Sequence, residues 1–331
     1  MSSCTRVALV TGANKGIGFA ITRELCRRFP GDVVLTARDQ ARGRAAVQQL
    51  QAEGLSPRFH QLDVDDLQSI RAVRDFLRKE YGGLNVLVNN AGIAFETEDP
   101  MPFDIQAEMT LKTNFFATRN VCTELLPIVK PHDRGPRGQD VGVWGGLWLS
   151  LALASASPVL QEWPHPAPRN PDGIHAGRDF VYILLGKSER GRVVNISSSQ
   201  GFRALEDCGE ALQERFRCNT LTEGDLVDLM KKFVEDVKNE VHEREGWPDS
   251  AYGVSKLGVT VLSRIIARQL DEKRKADRIL LNACCPGDTA GDQGSRSLEQ
   301  GVETPVYLAL LPPDATEPHG QFICDKVVQN W

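Results

Sequence analysis

The 331-residue sequence has no excess of positive charge: 39 Lys and Arg stand against 44 Asp and Glu, a formal net charge of −5. Its pI is near 5.8. Neither nucleic acid nor an anionic membrane is therefore expected as the main partner, since a polyanion is not held by an acidic surface. A local basic site for a phosphate stays open. A secretory leader pattern is also missing. Met1-Ser2-Ser3-Cys4-Thr5-Arg6 runs straight into Val7-Ala8-Leu9-Val10, with no apolar h-region and no small-residue cleavage site. Paired cysteine spacing is absent as well. Cys4, Cys26, Cys122, Cys208, Cys218, Cys284, Cys285 and Cys324 are scattered, with no C-x-x-C pair. They are expected to be reduced thiols in a cytoplasmic protein, with neither disulfide nor metal site.

What is present suits an ordinary globular enzyme. A hydrophobic fraction of 41% supports a real core, and 25% charged residues is typical. Short apolar runs recur at Val7–Val10, Val33–Leu35, Arg58–Leu62, Leu84–Val88, Arg192–Ser198 and Ile279–Cys285. Helical spacing occupies 16–29, 41–53, 67–80, 104–113, 114–129 and 251–271. Runs of this length, bounded by turns and separated by helices, predict repeated βα units. The expected fold class is α/β: a Rossmann-type doubly wound parallel sheet in a single domain spanning 1–331.

Residues 133–190 break the rhythm. They hold three of the five Trp, are rich in Gly, Pro, Ser and Arg, and keep no steady period. Connections in α/β units usually need only a few residues, so this stretch reads as an atypical insertion, expected to be disordered. Within it Val141–Leu160 is twenty residues without a formal charge, long enough to span a bilayer. A span there would separate the first strands from the later ones, and the sheet could not close. An exposed apolar patch is expected instead.

The chemistry is concentrated in a few motifs. Thr11-Gly12-Ala13-Asn14-Lys15-Gly16-Ile17-Gly18 follows a strand and opens a helix. Gly12 permits a sharp turn, Gly16 a close approach to a pyrophosphate, and Gly18 tight helix–strand packing, with helix N–H groups facing the phosphates. A plain βα turn is the alternative. At the end of the second strand stand Arg38 and Asp39, with Arg42 a turn later. Arg38, Arg42 and Lys15 suit a 2′-phosphate, whereas Asp39 would suit a ribose hydroxyl. Asp63-Val64 closes the third run and fits an adenine contact. Asn89-Asn90-Ala91-Gly92 closes the fourth, where Asn90 shapes the backbone and Gly92 allows close approach. Each alone would be turn chemistry.

Tyr252 and Lys256 lie four residues apart, on one helical face. A phenol, with a reference pKa of about 10, needs a neighbouring ammonium to exchange protons readily near neutrality. It can then protonate a carbonyl oxygen as hydride reaches the carbon. Ser198, ending Asn195-Ile196-Ser197-Ser198, can hydrogen-bond the substrate oxygen and the tyrosine. Asn114 interrupts a helix pattern, so it either kinks the helix or holds a water linking Lys256 to solvent. Cys284 and Cys285 read as buried thiols, Cys285 with the option of bordering the substrate site.

Taken in order, the glycine turn, Asp63, Asn89-Asn90-Ala91-Gly92, Asn114, Ser198, Tyr252, Lys256 and Pro286-Gly287 resemble the short-chain dehydrogenase/reductase family. Within it the chain is similar to the monomeric NADPH-dependent carbonyl reductases of animals. The resemblance implies NADPH as cofactor and a catalytic tetrad of Asn114, Ser198, Tyr252 and Lys256. It implies quinones and xenobiotic ketones as substrates, and a partly helical segment at 200–250 that covers the face other members use to tetramerise. It also adds Pro286 and Gly287 to the cofactor site.

Two stretches depart from the family. The 58 residues from Asp133 to Arg190 have no counterpart in it. After Pro286-Gly287 the chain reads Asp288-Thr289-Ala290-Gly291 and is short by about four residues. An Asp288 near a pyrophosphate would repel it, so weakened cofactor binding is expected. The alternative is a catalytically impaired or inactive variant of the same fold that still binds nucleotide or a partner.

Overall fold

In the computed structural model the described residues are 5–95, 99–131, 191–287 and 297–330. They form an eight-stranded sheet flanked by helices on both faces. The strands are β1 (Val7–Val10), β2 (Asp32–Ala37), β3 (Arg58–Gln61), β4 (Val86–Asn89), β5 (Arg192–Ile196), β6 (Leu280–Cys285), β7 (Phe322–Cys324) and β8 (Val327–Gln329). Their order is β3-β2-β1-β4-β5-β6-β7-β8. Every pairing is parallel except β7 with β8. The expected doubly wound parallel sheet is what the chain forms.

The apolar runs are continuous because both faces of the sheet are covered. Val7 and Leu9 of β1 join one core layer, and Ala8 and Val10 join the other. The same alternation sends Leu87 one way and Val86 and Val88 the other, as a period of two requires. One layer carries α1 (Gly16–Arg28), α2 (Gln40–Ala52) and the later helix Glu303–Ala309. The opposite layer carries α3 (Leu67–Tyr81), the composite helix α4 (Phe103–Thr110), π-turn (Leu111–Ala117) and α5 (Thr118–Leu125). Its largest member is α9 (Ala251–Arg274).

Ends are set by local chemistry. Asp66 caps α3 by accepting the Gln68 N–H at 2.9 Å, and Gly82, at φ 69°, ends it in the left-handed region. The fourth strand starts later than its apolar run suggests. Leu84 lies before it and pairs instead with Val129 in an isolated bridge. Strands β7 and β8 have only three residues each, too few to show a pattern in sequence.

Between β5 and α9 lie α6 (Ser199–Glu206), α7 (Glu210–Arg217) and α8 (Glu223–Lys238). Their apolar faces enter the same core layer as α9 through Leu212, Phe216, Leu226, Met230 and Phe233. Trp247 stands edge-on to Phe233 at 5.3 Å, and its Nε1–H donates to Asp236 Oδ2 at 2.8 Å. Arg264 on α9 donates to the Phe216 carbonyl at 2.5 Å, and Arg268 to the Leu221 carbonyl at 2.6 Å. Among the described residues no helix is long and apolar enough to cross a membrane. The insertion expected at 133–190 and the shortened stretch after Gly287 lie outside the described residues.

The α8–α9 packing predicts a large stability effect. Phe233 is fully buried, so Phe233→Ala should lower the unfolding free energy by about 3–5 kcal/mol. Urea denaturation followed by tryptophan fluorescence measures it, and a loss below 1 kcal/mol would contradict this packing.

Candidate active site

The sheet reverses its winding between β1 and β4, and the two loops that leave their carboxyl ends are welded together. Thr11 Oγ1 accepts the N–H groups of Asn90 and Ala91 at 2.9 and 3.0 Å. Asn90 Nδ2 donates back to the carbonyls of Thr11 and Gly12 at 3.0 and 3.1 Å. A Cβ on Gly12 would stand 2.8 Å from Ala91 Cα, and one on Gly18 would stand 2.3 Å from Asn90 Nδ2. Gly18 thus leaves room for Asn90 and for the turn that follows β1, with Gly12 O 2.7 Å from its Cβ position. Gly16 differs: at φ 58° its backbone is left-handed and no atom lies within 4 Å of its Cβ position. The start of α1 has no side-chain cap and no acidic residue in its first turn. Its leading N–H groups are available to an outside anion. Asn14 and Ile17 are half-buried in the same turn.

Lys15, Arg38 and Arg42 are exposed, and none forms an ion pair with a described residue. Asp39, the alternative ligand for a ribose, caps α2 instead: its Oδ1 accepts the Arg42 N–H at 2.8 Å. That leaves three unpaired cations around the ends of β1 and β2. One strand over, past the end of β3, Asp63 and Val64 are half-buried. These features fit a dinucleotide carrying a 2′-phosphate.

Asn114 lies in the π-turn. A wider turn places its carboxamide under the β4 loop, and such turns occur often at functional sites. Oδ1 accepts the Ile93 N–H at 2.8 Å, and Nδ2 donates to the Ile93 carbonyl and to Ser255 Oγ, both at 2.9 Å. Ser255 Oγ in turn donates to the Tyr252 carbonyl at 2.7 Å. Gly92 leaves room for this clamp: a Cβ there would lie 3.0 Å from Asn114 Oδ1 and 3.6 Å from Lys256 Nζ.

Tyr252 and Lys256 sit on the first turns of α9. Lys256 is buried, donates from Nζ to the Ile196 carbonyl at 2.9 Å, and stands 5.6 Å from the Tyr252 ring centre. Burial lowers its pKa to about 8, against opposing contributions from Cys284 and Cys285. Burial pushes the Tyr252 phenol up, a hydrogen bond from Ser198 pulls it down, and Cys285 adds to the rise. The expected lowering by Lys256 is not among these influences; its ammonium is held by the Ile196 carbonyl instead. Ser198 caps α6, its Oγ accepting the Gln200 N–H at 3.2 Å. Two glycines bring α6 against α9. A Cβ on Gly201 would meet Leu257 N at 2.6 Å, and one on Gly253 would meet Ala204 Cβ at 2.9 Å.

Cys284 is buried, as expected. Cys285 is buried too, and its Sγ accepts the N–H groups of Ser199 and Gly287 at 3.2 and 3.3 Å. Pro286 and Gly287 follow, half-buried, with Gly287 at φ 83°. Thr11, Ser255 and the carbonyls of Ile93 and Ile196 also build the site, with no role predicted for them from the sequence. Two of these had a signal. Thr11 immediately precedes the turn glycine, and Ser255 is three residues after Tyr252, on its helical face. The two carbonyls had none.

The profile of the short chain dehydrogenase family matches residues 6–141. Carbonyl reductase (NADPH) 3 of Rattus norvegicus is 70% identical over 335 residues, covering 100% of both chains. Carbonyl reductase (NADPH) 1 of Homo sapiens is 58% identical with the same coverage. Among solved structures, salutaridine reductase from Papaver somniferum is similar with a TM-score of 0.69 at 27% identity, over 97% of this chain and 99% of that one.

The buried lysine predicts a pH dependence of stability. Its folded pKa of about 8 lies below the ordinary lysine value of 10.5, so between these values the unfolded chain holds more protons. The stabilising contribution is present above 10.5 and is lost as pH falls through about 8. Relative to Lys256→Met, the protein should gain roughly 3 kcal/mol of stability from pH 8 to 10.5. Urea titrations of both proteins at several pH values check the sign. A constant difference would show that Lys256 is not desolvated.

Proposed function

This chain belongs to the short-chain dehydrogenase family, and we propose that it is an NADPH-dependent carbonyl reductase acting on ketone, aldehyde and quinone carbonyls. The observation that carries this reading is the meeting of Ser198, Tyr252 and Lys256 beside the welded loops of β1 and β4. Names of full-length relatives at 58–70% identity support the same activity and cofactor.

Gly12, Asn14, Lys15, Gly16, Ile17 and Gly18 would hold the pyrophosphate, and Arg38 and Arg42, with Lys15, the 2′-phosphate. Asp63 and Val64 would receive the adenine. Asn90, Gly92, Tyr252, Lys256, Pro286 and Gly287 would line the nicotinamide half. NADPH supplies the hydride when bound. The protein's own groups handle the oxygen. Ser198 Oγ donates a hydrogen bond to the carbonyl oxygen and orients it. Tyr252, kept protonated by burial, gives that oxygen its proton as negative charge develops there. Lys256, charged below about pH 8, stabilises the phenolate left behind and is a source of its replacement proton. Asn114 holds the Ile93 loop and, through Ser255, the start of α9 in register.

The enzyme works as a cytoplasmic monomer on small quinones and xenobiotic ketones. Support for the monomer comes from α6–α8, whose apolar faces pack in the core layer that holds α9. Cytoplasmic placement is supported by the scattered thiols.

Tyr252→Phe should abolish NADPH oxidation with menadione while the NADPH dissociation constant stays within about twofold, since only the proton donor is lost. Turnover equal to that of the parent would sink the mechanism. Replacing Arg38 and Arg42 by Ala should weaken NADPH by roughly 10- to 100-fold and leave NADH nearly unchanged, as charge-assisted hydrogen bonds to the 2′-phosphate disappear. Fluorescence titration with both cofactors reads the ratio, and equal losses would place the phosphate elsewhere.

A further inference from the structure

The loop from β3 to α3 is tied to the catalytic layer by a hydrogen bond with no place in the reaction described above. Thr113 Oγ1, in the π-turn, donates to Asp65 Oδ2 at 2.9 Å across 48 residues of sequence. The other oxygen of Asp65 is buried and has no hydrogen-bond partner. Among the described residues Thr113 is therefore the only side chain that donates to this carboxylate. A buried acceptor with one oxygen unmet is unfavourable, so the arrangement calls for an explanation.

The neighbouring bonds supply one. Asp65 donates its own N–H to Asp63 Oδ1 at 3.1 Å, while Asp63 N–H is held by Ser69 Oγ at 2.9 Å. Thr113 thus fixes Asp65, and Asp65 fixes one oxygen of Asp63. No described residue donates to Asp63 Oδ2, which remains an acceptor for an outside N–H. The strand end that carries Asp63 pairs directly with the one that carries Arg38, in the register Ala37 to Gln61. Gln61 Nε2 also donates to the Arg38 carbonyl at 3.0 Å. A base lying one strand from a 2′-phosphate would meet Asp63 there, and the exocyclic amine of adenine is the donor that a carboxylate accepts.

We propose that Thr113 and Asp65 are a positioning pair that aims the Asp63 carboxylate at the adenine amine and so sets the base selectivity of the cofactor site. The proposal rests on the NADPH reading above. Neighbouring residues of one π-turn then serve both halves of the cofactor crevice: Thr113 the adenine loop, and Asn114 the loop after β4.

The test uses the full-length protein and two reduced cofactors, NADPH and its hypoxanthine counterpart, in which a carbonyl replaces the amine. Dissociation constants come from fluorescence titration, and thermal unfolding checks that each variant folds. Thr113→Val should weaken NADPH about tenfold and shrink the preference for adenine over hypoxanthine by a similar factor, the size of one lost charge-assisted hydrogen bond. Asp65→Ala, which leaves the π-turn untouched, should do the same. Thr113→Ser should restore the preference. At saturating NADPH, kcat should change less than threefold, roughly the spread of a group outside the chemistry. An unchanged preference in both Thr113→Val and Asp65→Ala overturns the proposal, whether the two cofactors weaken equally or not at all. Failure of the parent protein to bind NADPH, or to prefer adenine, overturns the underlying cofactor reading instead.

Discussion

The site depends on how closely the turn after β1 approaches the loop after β4. A side chain on Gly12 or Gly18 would occupy the space of Ala91 or Asn90. Thr11-Gly12 and Asn90-Ala91 exchange four hydrogen bonds across the same gap. This contact forms the floor of the crevice at the point where the sheet reverses its winding. It also fixes where Gly92 and Ile93 lie, and through Ile93 it sets the position of Asn114 and the first turns of α9. The cofactor end and the catalytic end share one joint.

Desolvation governs the protonation of the reacting groups. Lys256 and Tyr252 are both drawn toward their neutral forms, the lysine down to about 8 and the phenol upward. A raised phenol keeps its proton at rest but is a weaker acid, so proton transfer depends on stabilising the phenolate as it forms. The Ile196 carbonyl holds the ammonium near the ring in the meantime. Ser198 is the one partner that already pulls the phenol toward ionisation, and it does so from the cap of α6. The closeness of Gly201 and Gly253 to neighbouring helices therefore bears on chemistry as well as on packing.

The sheet was legible in the sequence because each central strand is buried on both faces and reads as an unbroken apolar run. Asn114 disclosed its unusual turn through the interruption of a helix pattern. Three kinds of information were not legible. Strands β7 and β8 are too short to carry a period. Backbone acceptors such as the Ile196 carbonyl carry no side-chain signature at all. At Tyr252 burial is opposed by the Ser198 hydrogen bond, and where the Lys256 ammonium points was hidden too, since spacing of four residues gives only the shared face. Asp39 is a related case. Its position suggested a ribose ligand, but an Asp directly before a helix also caps it, and the structure shows the cap.

The bond from Asn114 to Ser255 has a kinetic meaning too. It closes 141 residues of chain, whereas the joint from Thr11 to Asn90 closes 79. Loops of unequal length close at different times, and a chain emerging from synthesis meets its N-terminal partners first. The nucleotide floor can assemble while α9 is still unmade. The proton-handling half waits for residues beyond 250, so the floor under the pyrophosphate can form before the groups that line the nicotinamide half.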